Sequence, residues 1–435
     1  MKLYSTKHIS PDVDLKEAVL KGLPSDNGLY MPYEINPLPQ KFWDNLDNYT
    51  FCEMAFHVAK HLIGDAVPDE ALNKIIQDAY NFDAPLIEVG DYSVLELFDG
   101  PTLAFKDFGA RFMGRLMGYF LKDNDKEVNI LVATSGDTGS AVAHGFLNVE
   151  GIHVTILYPA GKVSDIQEKQ FTTLGANITA IEIDGTFDDC QALVKQAFLD
   201  KELNEKLTLS SANSINIARL IPQSFYYFYA YKQLDDKSLP LYFSVPSGNF
   251  GNLTAGLFAK KMGLPITKMI AANNSNDIFT VYHETGVFEP KRSVQTLSNA
   301  MDVGNPSNFA RMMDIFANDV QKVREEIAAY SFNNEQTASC ISNIFEEYNY
   351  IMCPHTAVGY LGMEEFVLDN DLNPYYINGV ILSTAHPVKF GELVAPLIGE
   401  EVAIPERLQS IINGKKLSIP MSANFDVFKA WLMSK

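Results

Sequence analysis

The chain has 435 residues, is 47% hydrophobic and 20% charged, and carries a formal net charge of -20. That is material for about two to three globular domains with a sizeable core. The acidic balance leaves no basic excess to neutralise phosphates, which argues against non-specific binding to nucleic acid or an anionic membrane.

Residues 1–90 read as a mostly helical N-terminal lobe. "DLKEAVLKGL" and "FCEMAFHVAKHLIG" space their apolar residues as helices do, and "NPLP" marks a loop. The first residues lack the continuous apolar core of a secretory signal, and no run approaches the length of a membrane span. Cys52, Cys190, Cys340 and Cys353 are scattered, with no CxxC pair. That suits a reducing, cytoplasmic setting better than a disulfide framework or a thiolate metal site.

"GPTLAFKDFGARF" (100–112) sets Lys106 among Phe105, Phe108 and Phe112. Two readings stand at this point. The amine snorkels out from a buried helix start, or it is kept desolvated, neutral and reactive.

From about residue 129 the pattern becomes strand, loop, helix. "NILVAT" (129–134), "IHVTILYP" (152–159) and "NITAIEID" (177–184) predict strands at roughly 25-residue spacing, with helices between. "LPLYFSVP" (239–246), "ITKMIAAN" (266–273) and "NGVILSTA" (378–385) extend the series. Such alternation implies parallel βαβ units and a site at the carboxyl ends of strands. The expected units are 1–90, a first α/β lobe at 91–235 and a second at 236–435. The stretch 291–379 has no clear purpose in this scheme and reads as an insertion.

Two loops stand at strand–helix junctions. Thr134-Ser135-Gly136-Asp137-Thr138-Gly139 combines glycines with hydroxyls, and Ser247-Gly248-Asn249-Phe250-Gly251-Asn252 repeats the design. Each suits a helix N-terminus that receives an anion, or an ordinary capped turn. Neither is GxGxxG or GxxxxGK[ST], so the common nucleotide fingerprints are missing. "SANSINIARLIPQ" (211–223) spaces Asn213, Asn216 and Arg219 by three residues, roughly along one helical face. His355 and His386 read more readily as structural than as catalytic groups. No HExxH, GxSxG or metal-ligand spacing occurs, so no metal is expected. Phosphate cradles beside a desolvated lysine fit pyridoxal phosphate better than a nucleotide.

The motifs resemble those of the threonine synthase family, pyridoxal-phosphate enzymes of fold type II (tryptophan synthase β-like). "YSTKHIS", "GPTLAFKDFGARFM", "TSGDTGSAVAHGF", "NSINIARLIPQ", "VPSGNFGNLTAGLFAKKMGLP", "HTAVGY" and "TAHPVKF" occur in the family's order. Asn252 departs from the Asp common there, and Ile217-Ala218 from a Trp-Ser pair. The resemblance implies an α/β, two-lobed parallel-sheet fold with a mostly helical N-terminal lobe. It implies a lyase that forms L-threonine and phosphate from O-phospho-L-homoserine and water, as a monomer or homodimer. Lys106 would carry the cofactor as a Schiff base. Gly248, Asn249, Phe250, Gly251 and Asn252 would cradle its phosphate, and Thr384 would face the pyridine nitrogen. Ser135, Asp137, Thr138, Asn216 and Arg219 would hold the anionic ends of the substrate. The Phe105 and Phe108 collar is then expected to keep water from Lys106. Another fold-type II lyase, a dehydratase or phospho-lyase, is the alternative.

Overall fold

A computed structural model describes residues 1–122, 127–134 and 136–435. The N-terminal region opens with a small antiparallel sheet in the order β2-β1-β3, made of β1 (Lys2–Ser5), β2 (Val13–Asp14) and β3 (Tyr30–Pro32). Helices Phe51–Ile63 and Asp69–Ala79 follow. The first starts at a capping box: Thr50 Oγ1 accepts from the Glu53 N–H, and the Glu53 carboxylate accepts from the Thr50 N–H. Its buried Met54, Ala55, Val58 and Leu62 repeat at three and four residues, which is the apolar face read from the sequence.

Eleven further strands are β4 (Leu86–Val89), β5 (Tyr92–Glu96), β6 (Val128–Ala133), β7 (Ile152–Pro159), β8 (Ile178–Asp184), β9 (Thr208–Ser210), β10 (Leu241–Pro246), β11 (Ile266–Asn273), β12 (Ile327–Ser331), β13 (Asn378–Ser383) and β14 (Ser418–Ser422). They make two sheets. One has the order β14-β8-β7-β6-β9 and is parallel throughout. The other has the order β12-β11-β10-β13-β5-β4, parallel except for β4. The fold is α/β with two parallel-sheet lobes, as expected. β10 is buried along its whole length, as befits a central parallel strand covered on both faces.

The sheets interleave along the chain, where a reading in chain order expects contiguous lobes. β4 and β5 belong to the second sheet and β14 to the first. Stretch 291–379 is not an insertion. It supplies edge strand β12, and its helix Pro354–Asp369 packs on the second sheet, where Ser244 Oγ on β10 donates to the Gly359 carbonyl at 2.5 Å. No helix among the described residues is long and apolar enough to cross a membrane.

Candidate active site

The described candidate residues follow the carboxyl ends of parallel strands from both sheets. Lys106 opens the helix Lys106–Leu121. The loop before it is tied to the end of β13 by three main-chain hydrogen bonds. Leu97 N–H donates to the Ser383 carbonyl at 2.9 Å, Phe105 N–H to Thr384 at 2.9 Å, and His386 N–H to Leu103 at 3.1 Å. Buried Leu103 is held at φ 57°, a left-handed conformation that a branched side chain seldom takes. Asp107 braces the loop from the other side. Its carboxylate accepts from the Thr102 N–H and hydroxyl, both at 2.8 Å. Burial raises the Asp107 carboxyl to about 6, against the pull of those hydrogen bonds.

Burial lowers the Lys106 amine from 10.5 to about 8. The Asp137 carboxylate opposes the shift, while Lys389 and Arg219 add to it. Its Nζ lies 6.0 Å from the Phe105 ring centroid. Phe108 is not part of the collar, contrary to expectation. It is fully buried against Phe51, Tyr80, Phe82 and Tyr226, because the helix turns it toward the N-terminal lobe.

The loop after β10 reaches the helix Gly251–Lys261 through Phe250, which is left-handed at φ 59° and gives no side-chain cap. Among the described residues, no acceptor takes the main-chain N–H groups of Gly248 to Asn252. They stand at a helix N-terminus, which favours an anion. A Cβ on Gly248 would come 2.7 Å from Met301 Cα, so only glycine fits there. Asn249 Nδ2 donates to Ser214 Oγ at 2.6 Å, which joins this loop to "NSINIAR". Asn252 turns inward and donates to the Pro246 carbonyl at 2.9 Å.

At the end of β6, Thr134 Oγ1 accepts from the N–H groups of Gly136 and Gly139. Gly136 adopts φ 149°, a conformation that needs glycine. Ser135 lies outside the described residues. Thr138 is half-buried. Asp137 is buried and pairs with Lys389 at 2.6 Å, and Gln167 Nε2 donates to the same oxygen at 2.8 Å. Burial works against its charge, but Lys389 and Lys106 outweigh it and hold the carboxyl well below its usual range.

The helix after Asn216 spans only Ile217–Leu220, so Asn213, Asn216 and Arg219 do not share a helical face. Asn216 is the cap: its Oδ1 accepts from the Ala218 N–H, and its Nδ2 reaches the Val19 carbonyl at 2.9 Å. Arg219 is buried and donates from NH1 to the Ala212 carbonyl, while its Nε meets no acceptor. Gln223 Oε1 is likewise buried without a partner. His355 and His386 are both pushed down to about 4, mainly by burial, and each accepts a main-chain N–H.

Lys389 was missed in the sequence. It lies between Val388 and Phe390, the same kind of apolar flank that drew notice to Lys106. Shape alone does not mark the centre. An open concavity of about 660 Å³, lined by Lys268, His283, Arg324 and Asp369 among others, contains none of these residues.

Residues 86–383 match the sequence model of the family described as "Pyridoxal-phosphate dependent enzyme". Residues 2–80 match "Threonine synthase N terminus", and 356–431 match "Threonine synthase, C-terminal". The threonine synthase of Serratia marcescens is 42% identical over 435 residues, covering 100% of this chain and 99% of that one. The chain belongs to the threonine synthase family. The crystal structure of the Escherichia coli threonine synthase superposes with a TM-score of 0.90 at 43% identity, covering 100% of both chains. A structure titled as pyridoxal-phosphate-bound threonine synthase from Brucella melitensis gives 0.94 at 33% identity, covering 100% of this chain and 99% of that one.

Membership in the threonine synthase family makes the chain a pyridoxal-phosphate-dependent lyase. Its residues fit the cofactor. The unclaimed amides of 248–252 and the close approach at Gly248 would suit a phosphate seat, and the desolvated amine of Lys106 would suit a reactive nitrogen. The unpartnered Arg219 Nε is a buried donor that lies against Gly109, on the helix that Lys106 opens.

Proposed function

We propose that the chain converts O-phospho-L-homoserine and water to L-threonine and phosphate, with Lys106 as its catalytic amine. The observation that carries this reading is the desolvated Lys106 amine, tied through the Phe105 N–H to Thr384 at the end of β13.

When bound, pyridoxal phosphate supplies an electron sink for a carbanion at the substrate Cα. Gly248, Asn249, Phe250, Gly251 and Asn252 would hold its phosphate, and Thr384 would offer a neutral hydroxyl at the ring nitrogen. Lys106 would fix the cofactor and, once displaced by substrate, move protons at Cα, Cβ and Cγ. An amine near 8 suits that task, because a base works best with a pKa close to the operating pH.

Arg219, with Ser135 and Thr138, would bind the anionic ends of the substrate. A guanidinium is suited to a carboxylate or a phosphate. Asp137 would contribute its main-chain N–H at the helix start, since its carboxylate is engaged by Lys389. Asn216 would act by capping the turn that carries Arg219. Four unpaired cysteines support a reducing compartment, the cytoplasm.

The test is product analysis on purified protein supplied with O-phospho-L-homoserine. Threonine and phosphate in equal amounts are expected. A keto acid as the main product would overturn the reading in favour of a dehydratase or phospho-lyase.

A further inference from the structure

Lys389 lies in the turn Pro387–Phe390 that follows Thr384, and its side chain is fully buried. Its Nζ reaches Asp137 Oδ1 at 2.6 Å and donates to the Thr102 carbonyl at 2.8 Å. One ammonium thus joins the loop that leads to Lys106, the start of the helix Asp137–Phe146 and the turn after β13. A buried ion pair is weak evidence for stability, since removing both charges from water offsets most of their attraction. The placement of this pair calls for another explanation.

The charged groups that act on Lys106 are Asp137, Lys389 and Arg219. His355 interacts with the same groups, and burial pushes its imidazole down to about 4. The Asp107 carboxylate is turned back onto Thr102. Asp137 is therefore the anion that bears on the amine. Without Lys389, the nearest compensation for that buried carboxylate would be the Lys106 ammonium. An ammonium has no lone pair with which to attack an aldehyde.

We propose that Lys389 is a positioning residue for Lys106: it claims the Asp137 carboxylate and so prevents that anion from holding the cofactor lysine as a fixed ammonium. Gln167 helps by donating to the same Asp137 oxygen at 2.8 Å. The lowered Lys106 amine is consistent with this, since burial prevails there although Asp137 is close. The inference rests on the assignment of Lys106 as the cofactor lysine.

The test is a pH titration of the cofactor's visible absorbance in the holoenzyme, which reads the charge felt at the Lys106 nitrogen without reference to turnover. Wild type, K389Q, D137N and the K389Q/D137N double variant are compared. K389Q should raise the midpoint by about 1–2 pH units, because an unpaired carboxylate favours the protonated nitrogen. D137N should lower it, and the double variant should return close to wild type. A purely structural pair predicts that K389Q and D137N shift alike, since each breaks the same contact. Shifts of one sign, or an unmoved midpoint in K389Q, would overturn the proposal. Should K389Q fail to fold, the comparison of D137N with the charge-balanced double variant decides: D137N must titrate lower. Lys106→Ala is measured alongside. If it keeps the visible band, the lysine assignment fails, which is distinct from failure of the role given to Lys389.

Discussion

The main-chain N–H of Phe105 donates to the carbonyl of Thr384 at 2.9 Å. This bond fixes the residue before Lys106, the proposed catalytic amine, to the strand end that carries the Thr384 hydroxyl. Because it uses the Thr384 backbone, the Thr384 side chain can change without moving Lys106.

Thr384→Val should therefore keep its bound cofactor and most of its stability, yet lose turnover. One hydrogen bond to the ring is worth about 1.5–3 kcal/mol when a charge is involved, or roughly 10- to 100-fold in rate. Steady-state kinetics with absorbance of the bound cofactor check this. Loss of the cofactor itself would mean that the hydroxyl has a different duty.

Gly248→Ala puts a methyl group 2.7 Å from Met301 Cα, where backbone rather than a flexible side chain must yield. Overpacking of this kind costs about 1–3 kcal/mol. Cofactor affinity should fall by about tenfold or more, with far-UV circular dichroism unchanged. Fluorescence titration of the cofactor measures it.

Lys106→Met should stabilise the cofactor-free chain at neutral pH. The folded amine titrates near 8 and the unfolded one near 10.5. Between those values the unfolded chain holds the extra proton, so wild-type stability rises with pH across that window. The gain in Tm from Lys106→Met should be largest below about pH 8 and shrink toward pH 10.5. Thermal melts across that range give the sign directly.

Arg311 is fully buried, donates to the Tyr30 and Ile215 carbonyls, and reaches Asn308 Oδ1 at 2.8 Å. It clamps the N-terminal lobe to the turn that leads to Arg219. Arg311→Leu leaves those carbonyls unpaired, at about 1–3 kcal/mol each. A lowered Tm and a raised KM for substrate are expected together.

The strands that carry the site were legible because they are long, apolar and β-branched. β7 and β11 begin and end where the sequence indicates. Short or interrupted elements were not. β9 has three residues, and β14 contains Pro420, which argues against a strand until its edge position is known. The β4–β5 hairpin had a signal in Gly90-Asp91, with Gly90 at φ 61°, but few residues alternate around it. Lys106 was singled out by its apolar flanks and the glycine-rich loops that would complement it. Lys389 has the same flanks, but its partner Asp137 comes close only through folding across the two lobes. Phe108 looked like a collar for Lys106 because sequence adjacency does not say which way a helix turns its faces.

Reduction of the holoenzyme with borohydride, followed by peptide mass spectrometry, is the most direct check on the central claim. The account predicts a phosphopyridoxyl group on Lys106 in the peptide that contains "LAFKDFGAR", and none in Lys106→Ala. The same group on Lys389 or any other lysine would contradict it.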